Sequence, residues 1–331
     1  MKPRVSFVVP VRNDAVRLAT CLRSIARNSH GSHQIEVIVV DNGSTDDSVA
    51  VARRFGAEVL SIEDARVAEL RNQGARHARA DVLAFIDADN EITAGWVYAA
   101  LECLHLPNTA VVGALYQAPV DGTWVQRTYG HLRGTPSGQH DTGWLGSGNV
   151  AVSRAAFESV GGFDTTLETC EDVDFCHRIR ARGLRVISDE RLESIHHGDP
   201  RTLLEVFSSE RWRGRDNLRV SFRRPIAWSA VPSAVLPIIQ GISIGVGVAG
   251  VVAAFVTASL GLLLIGASLL SFAAATCLRV MRAALRARPR RAVGMLAVFI
   301  VASVFDVARA VALVSRAPHR AVRPPAATAA S

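Results

Sequence analysis

Short apolar runs rich in β-branched residues alternate along the first two hundred positions with stretches whose apolar residues recur at helical spacing. Residues 4–10 and 35–41 are such runs, each ending in turn chemistry, and they predict strands. Between them, 15–28 carries helical periodicity behind the cap residues Asn13 and Asp14. The segment Asp41 to Asp47 reads as a turn capping a helix over 46–55. A strand at 57–61, a helix at 66–79, a strand at 82–86, a helix at 96–105 and a strand at 110–116 follow. Residues 118–148, rich in Gly, Thr, Pro and His and containing Trp124 and Trp144, read as a long substrate-facing loop. Helices at 153–161 and 171–182, the latter stopped by Gly183, a strand at 184–187 and an Arg-rich amphipathic helix at 202–219 complete this part. Strands alternating with helices predict an α/β fold with a doubly wound, mostly parallel sheet. Its ligands belong outside the carboxyl ends of the strands, where Asp41 and Asp87-Ala88-Asp89 fall.

The pattern then changes class. Residues 225–278 are 54 consecutive uncharged positions. As one helix they would run about 80 Å, far beyond a hydrocarbon core of roughly 30 Å. Two spans joined by a turn near Thr257–Gly261 fit better, and a third apolar stretch at 292–314 follows. Within that third stretch Asp306 and Arg309 are spaced to pair along one helix face. The expected division is a folded domain over 1–224 and a membrane domain over 225–316 with spans near 229–254, 259–278 and 292–314. A disordered Pro/Ala/Arg tail is expected over 317–331.

Charge sharpens this. The formal +7 conceals a near-neutral residues 1–224, with 27 Lys+Arg against 29 Asp+Glu, and a strongly basic 279–323, with ten Arg and one Asp. A basic stretch beside apolar spans points to membrane lipids as the partner and not to nucleic acid. Arg219, Arg223 and Arg224 flank one end of the apolar hairpin, and Arg279, Arg282, Arg286, Arg288, Arg290 and Arg291 flank the other. Both ends are therefore expected in the cytoplasm of a multi-pass protein of the cell membrane. The five cysteines show no zinc or disulfide spacing and read as reduced thiols. The run Val5 to Pro10 is too short for a signal-peptide core and reads as a strand.

Two acidic clusters carry the candidate chemistry. Asp87 and Asp89 directly follow the apolar strand 82–86, and two hard oxygen donors at a crevice suit Mn²⁺ or Mg²⁺ bridging phosphate oxygens. Glu171 and Asp172 open a helix with a basic body. Such acids complement the helix dipole, and Asp172 is equally placed as a general base for an acceptor hydroxyl. His196-His197 offers a third metal ligand, and polar side chains of Asn72 to Arg76 are candidates to reach phosphates.

Several motifs, in order, resemble the family 2 glycosyltransferases over roughly residues 3–200. They are Val8 to Asn13, Val39 to Asp46, Arg71 to Arg76, Leu83 to Asp89, Gly146 to Asn149, Gly161 to Asp164, Glu171 to Phe175 and His196 to Gly198. The resemblance implies a GT-A fold and inverting transfer from a nucleotide-sugar donor to a glycan or lipid-linked acceptor. By position it implies that Pro10, Arg12 and Asp41 hold the nucleoside, and that Asp87 meets the ribose or the metal. Asp89 and His196 (or His197) would then ligate the metal, with Asp172 as base. Gly148 and Asn149 would shape the acceptor pocket beside Glu171, with Trp144 stacking on a sugar face. Departures bear on the acceptor. Ser208 stands where processive polysaccharide synthases carry the Gln of Gln-x-x-Arg-Trp, although Arg211-Trp212 is present. Asn90-Glu91-Ile92 differs from the Leu-Gln that follows Asp-x-Asp in polyprenyl-phosphate sugar synthases, which stay as an alternative. A non-catalytic membrane scaffold or sugar-binding protein is the alternative of another class.

Overall fold

The computed structural model describes residues 3–28, 35–134, 138–223, 231–286 and 294–315. The expected disordered tail and the arginines at 224, 288, 290 and 291 lie outside them. The chain forms two compact units. Among the described residues, the first holds those up to Ala118 and those from 138 to Gly198; the second holds 119–134 and those from Asp199 to 315. The 119–134 excursion and the chain after Gly198 belong to the same compact unit as the apolar helices.

In the first unit, β1 (Val5–Val11), α1 (Ala15–Ala26), β2 (Ile35–Asp41), α2 (Ser48–Arg54), β3 (Glu58–Ser61), α3 (Val67–His77) and β4 (Val82–Ile86) alternate as the pattern predicts. After them come β5 (Asn90–Ile92), α4 (Trp96–Leu104), β6 (Thr109–Gly113) and β7 (Tyr116–Gln117). In the second unit α5 (Trp124–Arg133) lies where a loop was expected. Thr123 and Gln126 close a capping box at its start, a Thr-x-x-Gln signal present in the sequence. The first unit resumes with β8 (Gln139–Asp141), β9 (Asn149–Ser153), α6 (Arg154–Ser159), α7 (Glu171–Ala181), β10 (Arg185–Asp189) and β11 (Ser194–His196).

An eight-stranded sheet runs in the order β3-β2-β1-β4-β9-β6-β10-β8. Strands β3, β2, β1 and β4 are parallel, and β10 is parallel to β6. β9 enters antiparallel between β4 and β6. Successive side chains alternate between two cores: Phe7, Val9, Ala84 and Ile86 join one with α1 and α4, while Val8, Leu83 and Phe85 join the other with α3, α6 and α7. A second sheet, β5-β11-β7, lies beyond the carboxyl end of β4 in the chain and pairs His196 with Asn90.

In the second unit the Arg-rich stretch breaks at Gly214 into α8 (Leu203–Arg213) and α9 (Asn217–Ser221). The helices α10 (Val231–Ala254), α11 (Ala258–Arg286) and α12 (Met295–Val314) are each long and apolar enough to cross a membrane. Asp306 and Arg309 do not pair with each other, contrary to their spacing. Asp306 accepts from Arg279 Nε at 2.6 Å, Thr276 Oγ1 at 3.1 Å and Gln240 Nε2 at 3.2 Å, which ties α12 to α11 and α10. Arg309 turns to Glu210 on α8, Nε to Oε2 at 2.7 Å. Neighbours on the helix face point at different partner helices, and each charge takes the counter-charge it meets. The buried Glu210 also accepts from Tyr129 and Arg213. Burial alone would raise its pKa, but Arg309 and Arg213 outweigh this and hold it down to about 2.

Breaking one member of a buried ion pair costs about 3–5 kcal/mol, because the other charge stays buried. Asp306→Ala is expected to lower the Tm of the detergent-solubilised chain clearly. The double change Asp306→Leu with Arg279→Leu should recover most of that loss. A single variant that melts with the wild type would remove the pair from the forces holding the helices together.

Candidate active site

Parallel pairing sets the first half of the site. Val11 lies opposite Asp41 in the register of β1 with β2, so the ends of β1, β2 and β4 share one edge of the sheet. Pro10 sits inside β1 opposite Val40. Asp41 is buried, and its carboxylate accepts the Ser44 N–H at 3.2 Å, closing the turn after β2. Arg12 is half-exposed and 3.9 Å from Asp64.

The small sheet sets the second half. Pairing His196 with Asn90 brings the imidazole to the residue that precedes Asn90, and His196 Nε2 lies 3.4 Å from Asp89 Oδ1. Tyr116 from β7 packs over the His196 ring at 5.0 Å between centroids. His197 faces the other way, 3.1 Å from Glu91 Oε2, so His196 is the histidine on Asp89. Gly198 leaves room for this: a Cβ there would collide with Asp89 Oδ2. Burial would raise the Asp89 pKa, but His196 and then Arg17 pull it well below the usual carboxylate value. Arg17 is itself gripped by Asp14 at 2.7 Å.

Sequence reasoning did not single out Arg71, and it joins the two acidic clusters. Its guanidinium is 3% exposed and donates from Nη2 to Asp87 Oδ1 at 2.6 Å and from Nη1 to Glu171 Oε1 at 2.8 Å. It lies 5.8 Å from the Phe163 ring centroid, and Ser147 Oγ adds 3.3 Å to Glu171. Its position in an Arg-Asn-x-Gly run was a visible signal; its two partners, 16 and 100 positions away, were not. The Asp87 N–H donates to the Gly148 carbonyl at 3.0 Å, and a Cβ on Gly148 would strike the Asp87 carboxylate. Asp172, half-buried at the start of α7, accepts the Val173 N–H at 2.8 Å. Burial first, and the Glu171 charge second, push its carboxyl up to about 7, against a smaller pull from Val173 and Arg71.

Other expected contacts are placed elsewhere. Asn149 is fully buried and spent on the scaffold: its Oδ1 accepts from Trp96 Nε1 at 3.0 Å, and its Nδ2 donates to Leu192 O at 2.7 Å. Asn72 exchanges both amide groups with the Phe163 backbone, at 2.8 and 2.9 Å, instead of facing phosphates. Arg76 lies exposed against Glu69 at 3.0 Å. Glu171 is committed to Arg71 and Ser147, while Trp144 is 47% exposed and open to stacking.

Among the described residues no three His, Cys, Asp or Glu side chains converge as a closed metal cage. The expected set of Asp87, Asp89 and His196 presents instead one facing oxygen–nitrogen pair, with an oxygen of Asp87 held by Arg71. That donor set fits an ion that takes its remaining ligands from phosphate oxygens and water, as Mn²⁺ and Mg²⁺ do.

Residues 6–161 match the family described as Glycosyl transferase family 2. The chain is 29% identical over 239 residues to the pre-mycofactocin glycosyltransferase of Mycobacterium tuberculosis, a match over 67% of this chain and 48% of that protein. It thus spans about half the length of this relative. It is 28% identical over 211 residues to glycosyltransferase AglE of Haloferax volcanii, over 60% of this chain and 68% of that protein. The fold is similar to that of the mannosyltransferase PcManGT from Pyrobaculum calidifontis in complex with GDP-Man and Mn²⁺. The TM-score is 0.57 at 20% identity, over 92% of this chain and 86% of that one.

Holding the Asp172 proton more tightly than the unfolded chain does makes the fold lose stability as pH rises from about 4 to about 7. Asp172→Asn removes that penalty. The variant is expected to melt above the wild type at pH 8 and level with it near pH 4. A Tm difference that does not change with pH would refute the raised pKa.

Proposed function

We propose that this chain, whose residues 6–161 match glycosyl transferase family 2, moves a sugar, with inversion, from a nucleoside-diphosphate donor to a hydroxyl of a glycan or lipid-linked acceptor. The observation that carries this reading is the Arg71 bridge, which makes one site of the Asp87 and Glu171-Asp172 clusters. On this reading Pro10, Arg12 and Asp41 border the nucleoside at the shared strand edge, with Asp87 beside them. Trp144 and Gly148 border the acceptor.

Asp172 takes the proton from the acceptor hydroxyl as its oxygen attacks the anomeric carbon. The bond from that carbon to the diphosphate oxygen breaks on the opposite face, and its electron pair leaves with the diphosphate. A base with a pKa near ambient pH suits this transfer. Asp89 and His196 would hold the divalent ion, which when bound supplies positive charge to the leaving diphosphate. The Mn²⁺ and GDP-Man in the Pyrobaculum enzyme support a nucleotide sugar and a divalent ion as the matching ligands here.

The three apolar helices tether this chemistry to a membrane, which favours acceptors held there. Arg219 and Arg223 before α10, and Arg279 and Arg282 near the end of α11, support a cytoplasmic catalytic unit by the positive-inside rule.

A panel of nucleotide sugars with Mn²⁺ or Mg²⁺, read by diphosphate release, tests the proposal. Asp172→Asn is expected to lower kcat by about 10²–10⁴-fold with donor binding intact. Asp89→Asn should abolish metal-dependent donor binding while the fold survives. The wild-type rate should fall tenfold per pH unit below about 7 and level off above it. Asp172→Asn that stays active toward a polyprenyl phosphate would replace the hydroxyl acceptor with a lipid phosphate, whose oxygen is already anionic. Metal-independent donor binding would sink the Asp89 assignment.

A further inference from the structure

We propose that Arg71 is a positioning residue that joins the donor-side carboxylate Asp87 to the acceptor-side carboxylate Glu171, and so holds Asp172 in its working charge environment. The inference rests on reading Asp172 as the base. Its footing is geometric. Arg71 is almost wholly out of water and carries two short charge-assisted bonds to residues from different elements. Desolvating a guanidinium is costly, so such a group is retained where both bonds are made.

Its mount is rigid. The next residue, Asn72, is clamped to the Phe163 backbone by two hydrogen bonds, and the Phe163 ring lies near the guanidinium. α3 is thereby fixed to the loop that leads into α7, and the end of β4 is fixed to both through Asp87. Asp87 also hangs from the Gly148 carbonyl, so one Asp87 movement reaches donor and acceptor sides together.

The charges give the arrangement a measurable sign. The groups acting on Asp172 are Glu171 on its own helix, Arg71 from α3, and the Val173 N–H. Cys176, one turn further along α7, is buried and neutral, with its pKa pushed up to about 12 by burial. Removing the Arg71 charge leaves Glu171 unopposed beside Asp172. Removing the Glu171 charge relieves it.

Arg71→Met and Glu171→Gln are therefore expected to move Asp172 in opposite directions, up and down respectively, each by about one pH unit. Arg71→Lys keeps the charge and loses the fork, so its pH midpoint should stay near wild type while kcat falls and the donor KM rises. Two readouts on the detergent-solubilised full chain separate the questions. One is the pH–rate profile; the other is a carboxyl ¹³C NMR titration of labelled aspartate, assigned with Asp172→Asn, which needs no turnover. Opposite shifts in both readouts support the proposal. Opposite NMR shifts in a wild type that transfers no sugar would keep the charge lock and overturn the transferase reading. NMR midpoints unmoved in folded Arg71→Met and Glu171→Gln would overturn the proposal. If Arg71→Met does not fold, Glu171→Gln and Arg71→Lys decide it: an unmoved Glu171→Gln midpoint, or a strongly moved Arg71→Lys midpoint, overturns it.

Discussion

The central sheet buries side chains on both of its faces, and the position of the site follows from that. Phe7 and Val9 pack into one core while Val8 packs into the other, so a central strand such as β1 has no wet face on which to carry a functional group. Polar chemistry is confined to the strand ends. Parallel pairing of β1, β2 and β4 collects Asp41 and Asp87 on one edge, and the small β5-β11-β7 sheet returns His196 to the same edge beside Asp89.

Once charges are confined there, partner choice becomes the next constraint. Asp87, Glu171 and Asp172 are three acids around a single deeply buried cation, Arg71. Two of them receive its hydrogen bonds, and the third, left with burial and a negative neighbour, is pushed toward neutral pH. Unequal sharing of one cation thus separates a structural acid from a titrating one. The second unit solves a similar problem without leaving a titrating group: Glu210 receives Arg309, Arg213 and Tyr129, and stays strongly acidic.

Local signals in the chain were enough for part of this. The strand–helix alternation, the acids at strand ends and three long apolar helices all depend on local residue order, which periodicity and turn chemistry report directly. α5 belongs to the same class; its Thr123-x-x-Gln126 capping box was present but outweighed by the surrounding Gly and Pro. Asn149 shows the limit. A Gly-Asn run reads equally as a pocket rim or a strand start. Only the antiparallel insertion of β9 between β4 and β6 buries that amide on Trp96 and Leu192.

By itself, the sequence determined the fold class, the chemistry available at the two acidic clusters and the presence of three apolar helices. The tertiary structure decided which groups meet. It chose His196 over His197 by strand register, sent Asp306 to Arg279 and not to Arg309 by the helices each one faces, and placed Arg71 between two clusters a hundred positions apart. Pairings at such separations come from packing and the need of buried charges for counter-charges, and neither leaves a period in the residue order.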